Sequence, residues 1–292
     1  MGRFALRWVL RTGTSPCRVR DHLNIVEFTA VVSVASLLAG FVGSLTGLGG
    51  GIIITPLLTL ALGVDIRYAI GATLVSVIAT SSGVVAAYVR EGFSNIRIGM
   101  FLEIATTLGA IAGALLAARI STGVISLIFG LVLLYSAYAS SRPRRERADD
   151  RHTDTLATRL RINGSYPTPD GPKAYNVQHV PAGFSLMFGA GVLSGLLGIG
   201  SGAVKVIAMD QAMDIPFKVS TTTSNFMIGV TAAASAGIYL GRGYIDPGLA
   251  MPVILGVVVG SLVGARVLTH AKTRWLRIVF GLVIGIMAME MI

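Results

Sequence analysis

Gly47-Leu48-Gly49-Gly50-Gly51 closes one apolar run and opens a second, residues 52–62, that is too short to cross a bilayer. The situation recurs at Gly198-Ile199-Gly200-Ser201-Gly202, which precedes the short apolar piece 203–213. Each piece has 11 residues. As a helix it reaches about 16 Å, roughly half of a ~30 Å hydrocarbon core. Full-length apolar runs surround both pieces, at 28–45, 68–88, 96–118 and 124–139 and again at 182–197, 219–240, 245–268 and 275–291. Backbone in lipid has to satisfy its own hydrogen bonds, and these runs are far too long for barrel strands, so the expected fold is all-α and polytopic.

The two glycine clusters occupy the same place in their halves, which prompts a search for an internal repeat. A shift of 151 residues overlays 40–139 on 191–290 without a gap and aligns eight glycine pairs, among them Gly40/Gly191, Gly47/Gly198, Gly51/Gly202 and Gly109/Gly260. Chance would align about two, so a duplication is expected. The chain then divides into a basic arm (1–27), transmembrane repeat 1 (28–139), a polar extramembrane loop (140–180) and transmembrane repeat 2 (181–292). Each repeat is expected to hold about three full spans plus a broken or re-entrant helical hairpin, with the two copies inverted. The loop includes Tyr166-Pro167-Thr168-Pro169-Asp170-Gly171-Pro172 and has too little apolar content to fold alone, so it is expected to be mobile.

Composition agrees with lipid as the solvent. Hydrophobic residues make up 53% and charged residues 13% of the 292-residue chain, and the mean hydropathy is +0.74. A soluble surface normally needs about 25% charge. The net charge of +10 comes from residues flanking apolar runs and from the polar loop, a pattern that sets topology and attracts anionic headgroups rather than nucleic acid. The lone cysteine, Cys17, excludes an internal disulfide and a cysteine-rich metal site. No histidine falls inside an apolar run, and neither H-E-x-x-H nor a Gly-Lys-Ser/Thr phosphate loop occurs. Neither an enzyme nor any cofactor or metal is expected.

Discontinuous helices at equivalent places in two repeats point to a transporter's binding site near the bilayer midplane. Unpaired N–H groups at Gly49, Gly50 and Gly51, and at Gly200, Ser201 and Gly202, would suit an anion. The competing reading is close helix packing. Lys205, three residues into the second short helix, is an ammonium inside an apolar piece; it should face a cavity, pair with an anion or snorkel. Thr223, Ser224 and Asn225, within the polar run 220–225, offer hydroxyl and amide donors for an oxyanion, against capping and interhelical bonding as the alternative. Thr73 and Ser76 are their weaker counterparts in the first copy. Glu103 and Asp210 are the candidate proton or cation carriers, unless they sit at an interface and in a loop, respectively.

The duplicated module, the Gly-x-Gly-Gly-Gly of 47–51 with its degenerate copy at 198–202, and Gly71-Ala72-Thr73-Leu74 resemble the TauE/SafE family of sulfite and sulfoacetate exporters. The resemblance implies secondary transport of sulfite or an organosulfonate, with sites where the repeats meet. The second copy departs from the first, placing Thr222-Thr223-Ser224-Asn225 opposite Gly71-Ala72-Thr73-Leu74 and Lys205 opposite Ile54. The expected function is export of a small oxyanion across the cytoplasmic membrane. A passive anion channel and a non-transporting scaffold are the alternatives. The expected partners are a small anionic substrate and the lipid bilayer, with no nucleic acid and with a homodimer left open.

Overall fold

The computed structural model describes residues 25–46, 51–90, 94–141, 154–168, 171–200 and 202–268. Gly49, Gly50 and Ser201 lie outside the described residues, as does the apolar run 275–291. In the first half the helices are α1 (Ile25–Thr46), the short α2 (Gly51–Pro56), α3 (Ile66–Arg90), α4 (Ile96–Ala117) and α5 (Thr122–Ser141). After α6 (Thr155–Arg159) and the antiparallel hairpin of β1 (Gly164–Thr168) and β2 (Gly171–Tyr175) come α7 (Val180–Leu197), the short α8 (Gly202–Ile207), α9 (Phe217–Gly241) and α10 (Pro247–Leu268). A π-helical turn extends α2 over Leu57–Ala61 and α8 over Ala208–Ala212.

The bounds of α2, its π-turn, α3 and α4 recur 151 residues later, residue for residue, in α8, its π-turn, α9 and α10. Pro56 removes one backbone donor just before the first π-turn, but Ile207 stands at the same place in the second. Proline is therefore not the cause of the widened turn. Both breaks close with the same wide loop, Val64 N–H to the Leu58 carbonyl and Ile215 N–H to the Met209 carbonyl, each 3.0 Å.

Helices meet in two close pairs, α4 with α7 and α1 with α10. Small residues make the approach possible, as expected where lipid supplies no hydrophobic drive between helices. A Cβ on Gly191 would collide with the Thr106 carbonyl, and one on Gly195 with the Ala110 carbonyl. In the other pair, Gly40 faces the Val257 carbonyl and Gly260 the Leu37 carbonyl in the same way. Five of the aligned glycines are thus crossing points: Gly40, Gly109, Gly113, Gly191 and Gly260 each bring their helix against a neighbour's backbone.

The beginning of α3 meets the end of α9, where Tyr68 and Tyr244 stack edge-on at 5.6 Å and Arg67 lies over the Tyr244 ring. At the other end, just beyond α3, the Asn95 N–H donates to Thr223 Oγ1 near the start of α9, at 3.1 Å. The helices α3 and α9 are therefore antiparallel.

The polarity of the bundle is inside-out. Ile104, Leu108 and Leu115 on α4, Leu186 on α7, and Leu255 and Leu262 on α10 are exposed, whereas Thr55, Thr73, Ser76, Thr106, Ser224 and Thr231 are buried. Apolar outer faces and interior hydroxyls suit lipid rather than water. Two helices, Ile96–Ala117 and Val180–Leu197, are long and apolar enough to cross a membrane among the described residues; α1, α3, α5 and α10 contribute shorter apolar stretches.

Part of the polar stretch 140–180 has structure of its own, in contrast to the loop expected from composition. The reason is anchorage. Ala157, Ile162 and Val177 are buried in the core cluster that includes Ile98, Leu102 and Met213. Asn95 caps α4 by accepting from the Ile98 N–H and gives its amide protons to the Ile162 carbonyl (2.9 Å) and Tyr175 hydroxyl (2.8 Å). The Asp154 carboxylate accepts from the Leu156 and Val180 N–H groups, both at 3.0 Å, which holds it below the usual carboxylate range. A few buried apolar side chains, attached to preformed helix ends, suffice where the segment alone would not fold.

Candidate functional site

The second glycine turn is built by left-handed backbone. Gly198 (φ +68°) ends α7 with its N–H on the Ser194 carbonyl, and Gly200 (φ +67°) continues the reversal. Side chains are strained at such angles, and a Cβ on either glycine would also meet Ile70 or Ile228. The chain can then restart as α8 at Gly202. The start of α2 faces this turn, since a methyl on Gly51 would lie 3.5 Å from the Gly198 carbonyl.

Lys205 lies three residues into α8 and is fully buried, at 0% exposure. Snorkelling is thereby excluded. Its Nζ donates to Thr231 Oγ1 on α9 at 2.5 Å and lies 3.9 Å from Glu103 Oε2 on α4. Glu103 is itself 8% exposed. Its Oε1 accepts from Thr107 at 3.1 Å, one turn further along α4, and lies 2.7 Å from Thr231 Oγ1. Thr231 has a single proton to give, and the Met227 carbonyl also lies within reach at 2.9 Å. Glu103 Oε2 is buried with no hydrogen-bond partner. Three helices thus bring an ammonium, a carboxylate and one shared hydroxyl together in the interior. Burial of either charge alone would be costly, and the partner at 3.9 Å offsets that cost without a direct hydrogen bond.

Among the residues singled out from sequence, Lys205 and Glu103 are brought together. Ser224 Oγ donates to the Gly202 carbonyl at 3.2 Å and so flanks the same turn. Thr223 Oγ1 accepts from the Asn95 N–H. Asn225 is buried on α9. Asp210 sits half-buried in the π-turn after α8. In the first half, Thr73 accepts from Thr55 at 2.9 Å, and Ser76 bonds back to the Ala72 carbonyl of its own helix at 2.8 Å. Gly51 packs on Val77 and Thr73. Thr231 and Thr107 were missed. A hydroxyl four residues after a buried glutamate on one helix is the only signal that Thr107 gave, and Thr231 gave none, being one of many hydroxyls on α9.

The profile of the family described as "Sulfite exporter TauE/SafE" matches residues 32–291. The chain is 27% identical to the probable membrane transporter protein YunE of Bacillus subtilis over 270 residues, covering 90% of this chain and 96% of that one. A probable membrane transporter protein of Xylella fastidiosa is 28% identical over 87% of this chain and 91% of its own. The probable membrane transporter protein MJ0441 of Methanocaldococcus jannaschii is 24% identical over 94% and 99%. No solved structure matches the chain. An apolar outer face, buried interior hydroxyls and a match across nearly the full length agree with one another: this chain is an integral membrane protein and belongs to the sulfite exporter TauE/SafE family of membrane transporters.

Proposed function

We propose that this protein is a secondary transporter that exports a small oxyanion, sulfite or an organosulfonate such as sulfoacetate, across the cytoplasmic membrane in which it is a multi-pass component. The observation that carries the reading is the fully buried ammonium of Lys205 directly after a glycine break, in a chain of this family. An interior cation has to be matched by negative charge, and an oxyanion that replaces Glu103 as its partner would be held by charge and by hydroxyl donors. Thr231, bonded to Lys205, and Ser224, bonded to the Gly202 carbonyl, are the hydroxyls for that role; Gly51, Gly200 and Gly202 give the close backbone approach around it.

The two halves act as inverted repeats in this reading. The 151-residue recurrence of helix bounds and the antiparallel run of the equivalent helices α3 and α9 support it. Inverted repeats that meet at broken helices are a common basis of alternating access. Lys205 is shut off from solvent in this conformation and Glu103 is buried beside it, so a substrate path requires opening on either side in turn.

The test is flux in proteoliposomes. Sulfite and sulfoacetate should accumulate against their own gradient when a second gradient is imposed, and Lys205→Met should abolish that accumulation. Equilibration without accumulation would instead indicate a passive channel, and no flux of any anion would leave a scaffold.

A further inference from the structure

We infer that Glu103 and the transported anion compete for Lys205, so that one proton enters the site with each anion; this rests on the anion-transport reading above. The geometry is that of a replaceable partner. Glu103 Oε2 stands 3.9 Å from Lys205 Nζ, beyond a hydrogen bond, and receives no donor. Oε1 has two hydroxyls, Thr107 and Thr231, and the Thr231 proton has a second acceptor ready in the Met227 carbonyl. The carboxylate is thus held firmly by one oxygen and loosely by the other.

Charge counting then fixes the coupling. With Glu103 ionised and Lys205 protonated the interior site is neutral. An added monovalent anion, such as hydrogensulfite or a monosulfonate, would leave it at −1 in surroundings where an unpaired charge is costly. Protonation of Glu103 restores neutrality, with the proton drawn from water when the site opens, the ammonium kept on Lys205 and no bond other than O–H formed. Thr231 then turns its proton from Glu103 to the Met227 carbonyl or to the anion.

No other ionisable group is described against Glu103. Helix α7 has none in Val180–Leu197. Helix α9 has Lys218 and Tyr239 near its ends, the tyrosine being bonded to the Gly195 and Leu196 carbonyls. The segment of α8 and its π-turn adds Asp210, five residues past Lys205, and α4 itself adds Arg97 at its start. For a monovalent anion the transported set is therefore electroneutral. Its direction follows the combined anion and proton gradients, and membrane voltage contributes nothing.

The experiment uses the full-length protein in detergent and methanesulfonate as the probe, because a sulfonate keeps its charge at every pH tested. Affinity is measured by calorimetry from about pH 5 to about pH 8. The parent should weaken with rising pH, approaching tenfold per unit, while Glu103→Gln should bind with one affinity throughout. In buffers of different ionisation enthalpy, the parent should take up close to one proton per anion at the alkaline end, and the variant none. A parent whose affinity is flat with pH and whose binding moves no proton overturns the competition while leaving the anion site intact. So does a Glu103→Gln protein that keeps the parent's pH slope. Absence of binding by the parent at every pH overturns the anion reading and the competition with it. The parent series alone decides the matter if the variant fails to fold.

Discussion

Glu103 Oε2 lies 3.9 Å from Lys205 Nζ across the contact between α4 and α8, with the lysine side chain at 0% and the glutamate side chain at 10% exposure. The two residues come from different halves of the chain, so this pair ties the halves together at the centre of the molecule. Truncation of either partner leaves the other as an uncompensated interior charge, an effect on the order of 3–5 kcal/mol. Removal of both is much milder. Lys205→Met and Glu103→Leu should each lower the thermal unfolding temperature in detergent markedly, and the double variant should lie nearer the parent than either. Additive losses in the double-mutant cycle would show that the two side chains do not interact.

The anion site should depend on the second half more than on the first. Lys205 has Ile54 as its counterpart 151 residues earlier, fully buried but without charge. Loss of a charged hydrogen bond from a buried site costs on the order of 1.5–3 kcal/mol, about one to two decades in affinity. Lys205→Met should weaken methanesulfonate binding at low pH by that factor, whereas Ile54→Val should leave it within about twofold. Equal effects of the two substitutions in the same titration would remove Lys205 from the site.

The helices were legible in the sequence to within a residue or two where apolar length was the signal. The run 96–118 became Ile96–Ala117, and the short pieces 52–62 and 203–213 became Gly51–Ala61 and Gly202–Ala212 with their π-turns. The aligned glycines were legible as a pattern but not as to purpose. Gly198 and Gly200 make a left-handed reversal, while Gly40, Gly109, Gly191 and Gly260 make helix crossings. A glycine is the same letter in either role. The pairing of Lys205 with Glu103 was not legible because it depends on how three helices turn their faces, and no local periodicity encodes that. The hairpin β1–β2 escaped notice because its stability comes from Asn95 and the buried Ala157, Ile162 and Val177, not from its own composition.

The crossing glycines give a test of that division. Gly195→Ala places a methyl against the Ala110 carbonyl, and Gly260→Ala one against the Leu37 carbonyl; backbone on both sides cannot yield. Each should lower the unfolding temperature, and Gly195→Ala should also reduce the yield of folded protein. Gly189 and Gly237 are helical with open space where a Cβ would go. Alanine there should be neutral or raise stability by up to about 1 kcal/mol through helix propensity. A Gly189→Ala protein as unstable as Gly195→Ala would show that collision at the crossing is not what governs the result.

Orientation follows from the antiparallel α3 and α9. The hairpin lies at the Asn95 end of α3, and the turn between α4 and α5 lies at the opposite end, where Arg67 donates to the Ile120 carbonyl. The hairpin belongs to the basic segment between the halves, which favours the cytoplasmic side. In a Cys17→Ser background, Lys173→Cys should be labelled by an impermeant thiol reagent only in inside-out vesicles, and Gly123→Cys only in right-side-out ones. Labelling of both from one side would contradict α4 as a membrane-crossing helix between them.

Asp154 provides a pH-dependent anchor for the segment that leads into α7. Its carboxylate accepts from the Leu156 and Val180 N–H groups, and these bonds, more than any nearby charge, hold its titration below the usual carboxylate range. The direction of the effect follows from linkage. A carboxyl with a lowered folded-state pKa contributes stability that is fully present above its unfolded value, near 3.8, and is lost as pH falls through the lowered folded value. Thermal melts of the parent should therefore show a drop on acidification below about pH 4 that includes this group. Asp154→Asn keeps the shape and one acceptor oxygen but cannot ionise, so its melting temperature should start lower at neutral pH and the difference from the parent should shrink as the pH falls. Proteolysis within 154–177, followed at the same pH values, separates local release from global unfolding. In the parent, cleavage there should rise on acidification before α4 and α7 come apart, and in Asp154→Asn it should already be raised at neutral pH. A gap between the two melting curves that stayed constant from neutral to acid pH would show that the charge of Asp154 plays no part in the anchor.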